Sequence, residues 1–245
     1  MQAIRPYGMH AFLLAFTVVM LVADGLFGGL GPQLLLGVVA FGVLWAFSYR
    51  VEGMQRLQLW LCVPLATGFE AIGSLVWGGY TYRLHNIPLY VPPGHALVYL
   101  FGITAATLPV VQRHGRRVRH VVLAICTVWA IAGVTVLQPL TGRFDVQGLL
   151  LLPLFAWCIL RSGRGELFAA IWVATMTIEV VGTWAGDWAW ATHAPWTGIV
   201  SGNPPSAIAA GYAVIDGSVV LLGPVVGRVL ARFRPTLLEP APSEL

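Results

Sequence analysis

Arginines divide this chain into long apolar runs, and no other feature limits its fold as strongly. Eight runs, at about 10–29, 32–49, 57–78, 94–111, 121–138, 146–160, 166–186 and 207–230, are dominated by aliphatic and aromatic residues. About 20 consecutive apolar residues cross the hydrocarbon core of a bilayer. There the backbone must close its hydrogen bonds within a helix or a closed barrel. The predicted fold class is therefore all-α: a polytopic transmembrane helical bundle of about eight helices. Composition agrees, with 58% hydrophobic and 10% charged residues, whereas soluble domains carry roughly 25% charged residues.

The basic residues are all arginine, 14 of them. Arg5, Arg50, Arg56, Arg113, Arg116, Arg117, Arg119, Arg161, Arg164, Arg228, Arg232 and Arg234 fall on one side of an eight-span topology, and only Arg83 and Arg143 on the other. The excess of arginine in cytoplasmic loops then predicts a multi-pass protein of the cell (plasma) membrane with both termini in the cytoplasm. A pI near 9.3 would point to nucleic acid in a soluble protein. Here topology accounts for the charge, and no nucleic-acid partner is predicted. Cys62, Cys126 and Cys158 all lie in apolar runs and read as buried small residues. The apolar run after Arg5 is read as a retained helix rather than a cleaved signal. Residues 232–245, with Pro235, Pro240 and Pro242, read as a disordered cytoplasmic tail.

The chain also matches itself. Glu70-Ala-Ile-Gly73-Ser74 pairs with Glu179-Val-Val-Gly182-Thr183, the glutamates standing 109 residues apart (179 − 70). Downstream, Tyr80, Tyr82, His85 and Pro88 parallel Trp188, Trp190, His193 and Pro195, and Pro92-Pro93 with Tyr99 parallels Pro204-Pro205 with Tyr212. Upstream, His10 and Thr17 parallel His120 and Thr127. The shared order and nearly constant offset predict two four-helix repeats, residues 1–111 and 120–231, in parallel orientation about an axis along the membrane normal.

Ionisable groups within a membrane are costly and mark functional sites by default. Glu70, Glu179 and Asp216 fall mid-span, His95 opens the fourth run, and Asp24 and Asp187 lie in outer halves. Two carboxylates at matched depth repel if both ionise, so one is expected to hold a proton. A buried carboxylic acid and its ionised partner form an acid–base pair. Structural bonding between helices is the other reading of these groups, and for Asp24 it weighs as much. Aromatic residues crowd the outer segments, Trp77 to His85 and Trp184 to Trp190. An interfacial belt explains some of them. Their spacing after each glutamate also suits cation–π stabilisation of a carbocation, or contact with a flat lipid. His85, His95 and His193 with the two glutamates offer ligand types for zinc or iron, but no run has two ligands at helical spacing. Gly28-Gly29-Leu30-Gly31 lacks the strand and lysine of a phosphate loop.

Glu70-x-x-Gly73, Gly79-Tyr80-Thr-Tyr82 and Ile87-Pro88-Leu89-Tyr90-Val91-Pro92 together resemble the membrane carotenoid-biosynthesis hydratases, a family that includes the bacterioruberin-precursor hydratases and carotenoid 1,2-hydratases. Trp188-Ala-Trp190 through Gly198-Ile-Val-Ser-Gly-Asn203 is similar to that family's aromatic and asparagine pattern. The resemblance implies an isoprenoid substrate and hydration of a terminal alkene.

Together these readings predict a membrane enzyme acting on an isoprenoid or similar long apolar lipid without a cofactor or metal. Glu70, Glu179 and Asp216 are the catalytic candidates. Tyr80, Tyr82, His85, His95, Asp187, Trp188, Trp190, His193 and Asn203 are the substrate-binding candidates. Its partners are the bilayer and that lipid. Two other classes fit the same residues: a proton-coupled transporter or non-catalytic membrane subunit, and a metal-dependent lipid-modifying enzyme.

Overall fold

A computed structural model describes residues 5–233. Among them the chain forms nine helices and two short strands. The helices are α1 (Arg5–Phe27), α2 (Leu30–Ser48), α3 (Gly53–Glu70), α4 (Val91–Ala105), α5 (Pro109–Thr135), α6 (Gln138–Thr141), α7 (Val146–Arg161), α8 (Gly165–Ala185) and α9 (Ala209–Phe233). α3 continues into a π-helical turn, Ala71–Val76. The expected tail lies outside the described residues from 234 on, and Arg232 and Phe233 close α9.

Six helices are long and apolar enough to cross a membrane: α1, α2, α3 with its π-turn, α5, α8 and α9. The segments expected as fourth and sixth spans are helical but short. α4 has 15 residues and α7 has 16, and at 1.5 Å per residue each falls short of a roughly 30 Å hydrocarbon core. Pro92 and Pro93 sit in the first turn of α4, where missing N–H groups cost nothing, so α4 starts at Val91, ahead of the expected 94, and it is short because it ends at Ala105. The arginine-rich stretch from Arg113 to Arg119, expected as a loop, is instead the first part of α5, with a kink at His114 (φ −125°, ψ 20°). Arginine is a good helix former, and no proline interrupts the chain from Val110 to Gln138.

α4 and α8 form the centre of the bundle. α4 packs on α3, α8, α2 and α1, while α8 packs on α1, α4, α5, α7 and α9. Glycine permits the close approaches. A Cβ at Gly102 of α4 would stand 2.5 Å from Ile171 of α8, and one at Gly25 of α1 would stand 2.8 Å from the Ala185 carbonyl. Small residues play this part where helices associate in lipid. Outward-facing Leu35, Val38, Trp45, Val128 and Leu221 are largely exposed, an apolar exterior that fits a bilayer rather than water.

Both strands cap one end of the bundle. β1 (Tyr80–Tyr82) follows the π-turn and β2 (Trp188–Trp190) follows α8; they pair antiparallel, Tyr80 opposite Trp190 and Tyr82 opposite Trp188. Gly78 (φ 72°) and Gly186 (φ 77°) make the reversals that bring each strand back over its helix, a left-handed conformation that glycine adopts without strain.

Candidate functional site

The local fold of each E-x-x-G-[ST] segment explains its composition. Glu70 ends α3, and the hydroxyl of Ser74 donates to the Glu70 carbonyl at 2.7 Å. Thr183 does the same to Glu179 at 2.6 Å. The glycine between them lets an aromatic ring lie against the helix. A Cβ at Gly73 would stand 2.7 Å from the Tyr80 hydroxyl, and a Cβ at Gly182 would collide with the Trp188 ring. The rings can therefore reach back along the helix to the glutamate. After Glu70 the helix widens into its π-turn, with Trp77 N–H donating to Ile72 five residues earlier at 2.7 Å. Single π-turns of this kind are frequent at functional sites.

Each glutamate is buried and accepts or shares three hydrogen bonds. The hydroxyls of Tyr80 and Tyr82 both donate to Glu70 Oε2 at 2.7 Å, and His95 Nε2 lies 2.7 Å from Glu70 Oε1. The indole N–H groups of Trp188 and Trp190 donate to Glu179 Oε2 at 3.2 and 3.0 Å, and the Tyr212 hydroxyl donates to Oε1 at 3.0 Å. Tyr212 also stacks on His95, ring centroids 4.8 Å apart, and Tyr80 meets Trp190 at 4.7 Å. The two clusters thus touch. Burial and the neighbouring Glu70 carboxylate push the Tyr80 and Tyr82 hydroxyls well above the usual phenol range, so both stay protonated and donate.

Both carboxylates line one cavity of about 270 Å³. The strand aromatics Tyr80, Tyr82, Trp188 and Trp190 bound it, together with His95, Tyr212 and aliphatic side chains of α1, α4, α8 and α9. Ile72, which also lines it, is 59% exposed, and its neighbours Leu75 and Val76 are exposed too. The cavity therefore meets the apolar exterior of the bundle at the π-turn.

The remaining candidates lie elsewhere. Asp216 is buried on α9, one turn beyond Tyr212, but does not line the cavity, whereas its neighbour Ile215 does. Asn203 is exposed and accepts the Trp190 backbone N–H at 2.9 Å, which places it behind β2. His85 and His193 are exposed outside the cavity; His85 sits at a left-handed turn (φ 56°). Asp187 is fully buried in a second cluster, where Arg83 pairs with Asp24 at 2.8 Å and Tyr90 donates to the same Asp24 oxygen at 3.0 Å. Burial and the adjacent Asp24 push the Asp187 carboxyl up to about 8. Among the described residues no three His, Cys, Asp or Glu side chains converge as metal ligands.

Three contributors lay outside the candidate set. Tyr212 was visible only as a counterpart of Tyr99; its four-residue spacing from Asp216, which puts both on one helix face, was the available signal. Tyr90 lines the cavity and ties it to the Asp24 cluster. Asp145 caps α7, accepting from the backbone N–H of Gly148 (2.9 Å), Gly202 (3.0 Å) and Ser206 (2.7 Å). With Arg143, which donates to the Trp190 carbonyl at 3.0 Å, it fixes the segment behind β2.

The fold and site define an α-helical bundle suited to a membrane, with a carboxylate-paired, aromatic-walled cavity near one end. Comparison with protein-family models, with curated proteins and with solved structures gives no match.

Proposed function

We propose that this chain is an integral membrane enzyme that protonates an alkene of an isoprenoid or other long apolar lipid. The observation that carries this reading is the single apolar cavity faced by both Glu70 and Glu179 and opening beside Ile72 to the lipid-facing exterior. A volume near 270 Å³ is small beside the roughly 300–1,000 Å³ of drug-sized sites. It suits the end of a chain whose remainder stays in the bilayer.

The donor sets divide the roles of the two acids. Indole N–H groups only donate, so protonating Oε2 of Glu179 would set proton against proton at two contacts. Glu179 accordingly serves as the base. Glu70 also faces His95, whose imidazole can hold or accept a proton, and the 2.7 Å Glu70–His95 contact keeps one proton between the two residues. That proton is transferred to the alkene carbon; the π pair forms the new C–H bond and leaves a tertiary cation. The rings of Tyr80, Tyr82, Trp188 and Trp190 surround the cation, where aromatic faces are attractive to positive charge. Glu179 then either takes a proton from a water that adds to the cation, or removes a neighbouring C–H proton. The first outcome is hydration; the second is isomerisation or, after ring closure, cyclisation. One proton leaves Glu70 and one arrives at Glu179, so no cofactor is consumed.

Two parallel four-helix repeats in the cell membrane, arginine-rich end cytoplasmic, complete this reading. The reciprocal register of β1 and β2 supports it, since Tyr80 opposite Trp190 and Tyr82 opposite Trp188 is the pairing a two-fold axis between the repeats requires. The experiment is expression in a host that accumulates acyclic carotenoids. New hydrated or cyclised products with the wild type, and their loss with Glu70→Gln, are expected. Identical lipid profiles for the two would end the proposal. A proton-coupled transporter is the second reading, favoured by a buried polar column beneath the cavity. Proton-driven uptake in vesicles that Glu179→Gln abolishes would select it.

A further inference from the structure

Beneath the cavity, toward the end of the bundle that bears Arg56 and Arg164, three helices extend the site with polar groups, of which the reaction above leaves Gln58, Cys62, Tyr99 and Asp216 unused. On α3, Gln58, Cys62 and Glu70 fall at multiples of four residues and are all buried. On α4, His95 and Tyr99 are one turn apart and buried; on α9, Tyr212 and Asp216 are one turn apart, Tyr212 half-buried and Asp216 2% exposed. Steps of four residues keep side chains on one helix face, so the three faces converge. Tyr99 donates to Gln58 Oε1 at 3.0 Å. Gln58 lies in the second turn of α3, beside the arginine-rich end.

Asp216 occupies the middle of this column. The titratable groups within electrostatic reach of it are His95 and Tyr99 from α4 and Cys62 from α3, and along α9 it lies between Tyr212, whose ring stacks on His95, and Gly223, where an added Cβ would stand 2.7 Å from the Gln58 side chain. His95 contacts Glu70 and the Tyr212 ring; Asp216 and Glu179 are within its electrostatic reach, and Arg164 is within that of Tyr99. Among the described residues no group hydrogen-bonds Oδ2 of Asp216. A carboxyl so deeply buried and so little bonded contributes nothing to packing that an apolar residue would not supply better. Its position between a hydrogen-bonded pair at the arginine-rich end and the imidazole of the site is what distinguishes it.

We propose that Asp216 is a proton-relay residue joining the Glu70–His95 pair to the aqueous phase at the arginine-rich end, past the Tyr99–Gln58 pair. A proton carried by water past the Tyr99–Gln58 pair converts the Asp216 carboxylate to the acid. Asp216 then passes it to the His95 imidazole through water and returns to the carboxylate; no electrons move. The proton occupancy of the site follows the pH on that side only. This rests on the reading of Glu70–His95 as a proton-exchanging pair, though its test requires no substrate.

The test is one-sided pH-jump infrared spectroscopy on protein in proteoliposomes. Sidedness is assigned by trypsin cleavage at the exposed Arg113, Arg116 and Arg117. The Glu70 carboxyl signal is the difference band lost in Glu70→Gln. With the wild type, a jump on the arginine side is expected to shift that band and a jump on the other side to leave it unchanged. Asp216→Asn, and separately Tyr99→Phe should the first not fold, are expected to keep the band and slow its response at least tenfold. A band that follows the opposite side, follows both sides equally, or responds at the wild-type rate in both variants overturns the proposal. Full product formation by Glu70→Gln would instead remove the catalytic reading and leave this measurement standing.

Discussion

Replacing Glu179 with alanine removes the acceptor shared by three donors: the buried indoles of Trp188 and Trp190 and the hydroxyl of the half-buried Tyr212. A buried donor left without a partner costs about 1–3 kcal/mol. The two indoles cost about 2–6 kcal/mol and the Tyr212 hydroxyl adds to that, against a total stability of roughly 5–15 kcal/mol for a typical domain. Glu179→Ala is therefore expected to accumulate poorly, or to melt far below the wild type. Glu179→Gln is different. Its carbonyl can take both indole N–H groups, and its NH2 can donate to the Tyr212 oxygen, because a phenol also accepts. The loss is then limited to the charge assistance of the bonds, about 1 kcal/mol each. Activity separates from stability here: an acid–base group contributes about 10²–10⁴-fold to rate, so Glu179→Gln should fold and lose product by that order. Thermal unfolding in lipid nanodiscs, followed by tryptophan fluorescence, reads the first quantity, and product analysis in the carotenoid-producing host reads the second. Equal melting temperatures for Glu179→Ala and wild type would refute the bonding argument. So would a Glu179→Gln protein as unstable as the alanine variant.

Gly182→Ala should displace the Trp188 ring and lower product at least tenfold, while Gly217→Ala, where an added Cβ meets nothing within 4 Å, should leave product unchanged; near-ultraviolet circular dichroism and product analysis check both. Asp145→Ala frees three backbone donors, and a loss of about 3 kcal/mol or more should appear as a lower melting temperature with loosened protection of the segment from Gly202 to Ser206 in hydrogen exchange. Asp187 binds its proton more tightly when folded, being pushed from 3.8 up to about 8. Its contribution to stability is complete below pH 4 and is lost as pH rises through about 8. The melting temperature should fall over that range, and Asp187→Asn should flatten the decline; a wild-type curve that rises toward pH 8 would contradict the assignment.

Much of the fold was legible because lipid imposes a simple rule: a long apolar run must satisfy its own backbone. That rule placed the helical segments to within a few residues. It misjudged 113–119, where charge was read as loop and the helix simply continues. It also carried the fourth run to 111, whereas α4 ends at Ala105, since a sharp turn ends a helix without altering its hydropathy. The two glutamates and the four strand aromatics were legible because burying a charge in lipid is costly enough to single it out. His85, His193 and Asn203 show the opposite case. Their residue types suit a site, but sequence carries no information about which side of a two-residue turn faces the cavity.

The sequence by itself determined that this chain is a helical bundle for a membrane and which acids and aromatics are placed unusually, because hydropathy and charge are local properties of a segment. Only the tertiary structure decided that Glu70 and Glu179 share one cavity, that indoles hold one and a histidine with two phenols the other, and that Asp216 lies beneath them rather than among them. Those facts depend on helix rotation, on two glycines that admit aromatic rings, and on the antiparallel meeting of β1 and β2. The last is a relation between segments about 110 residues apart, which no local property of either segment encodes.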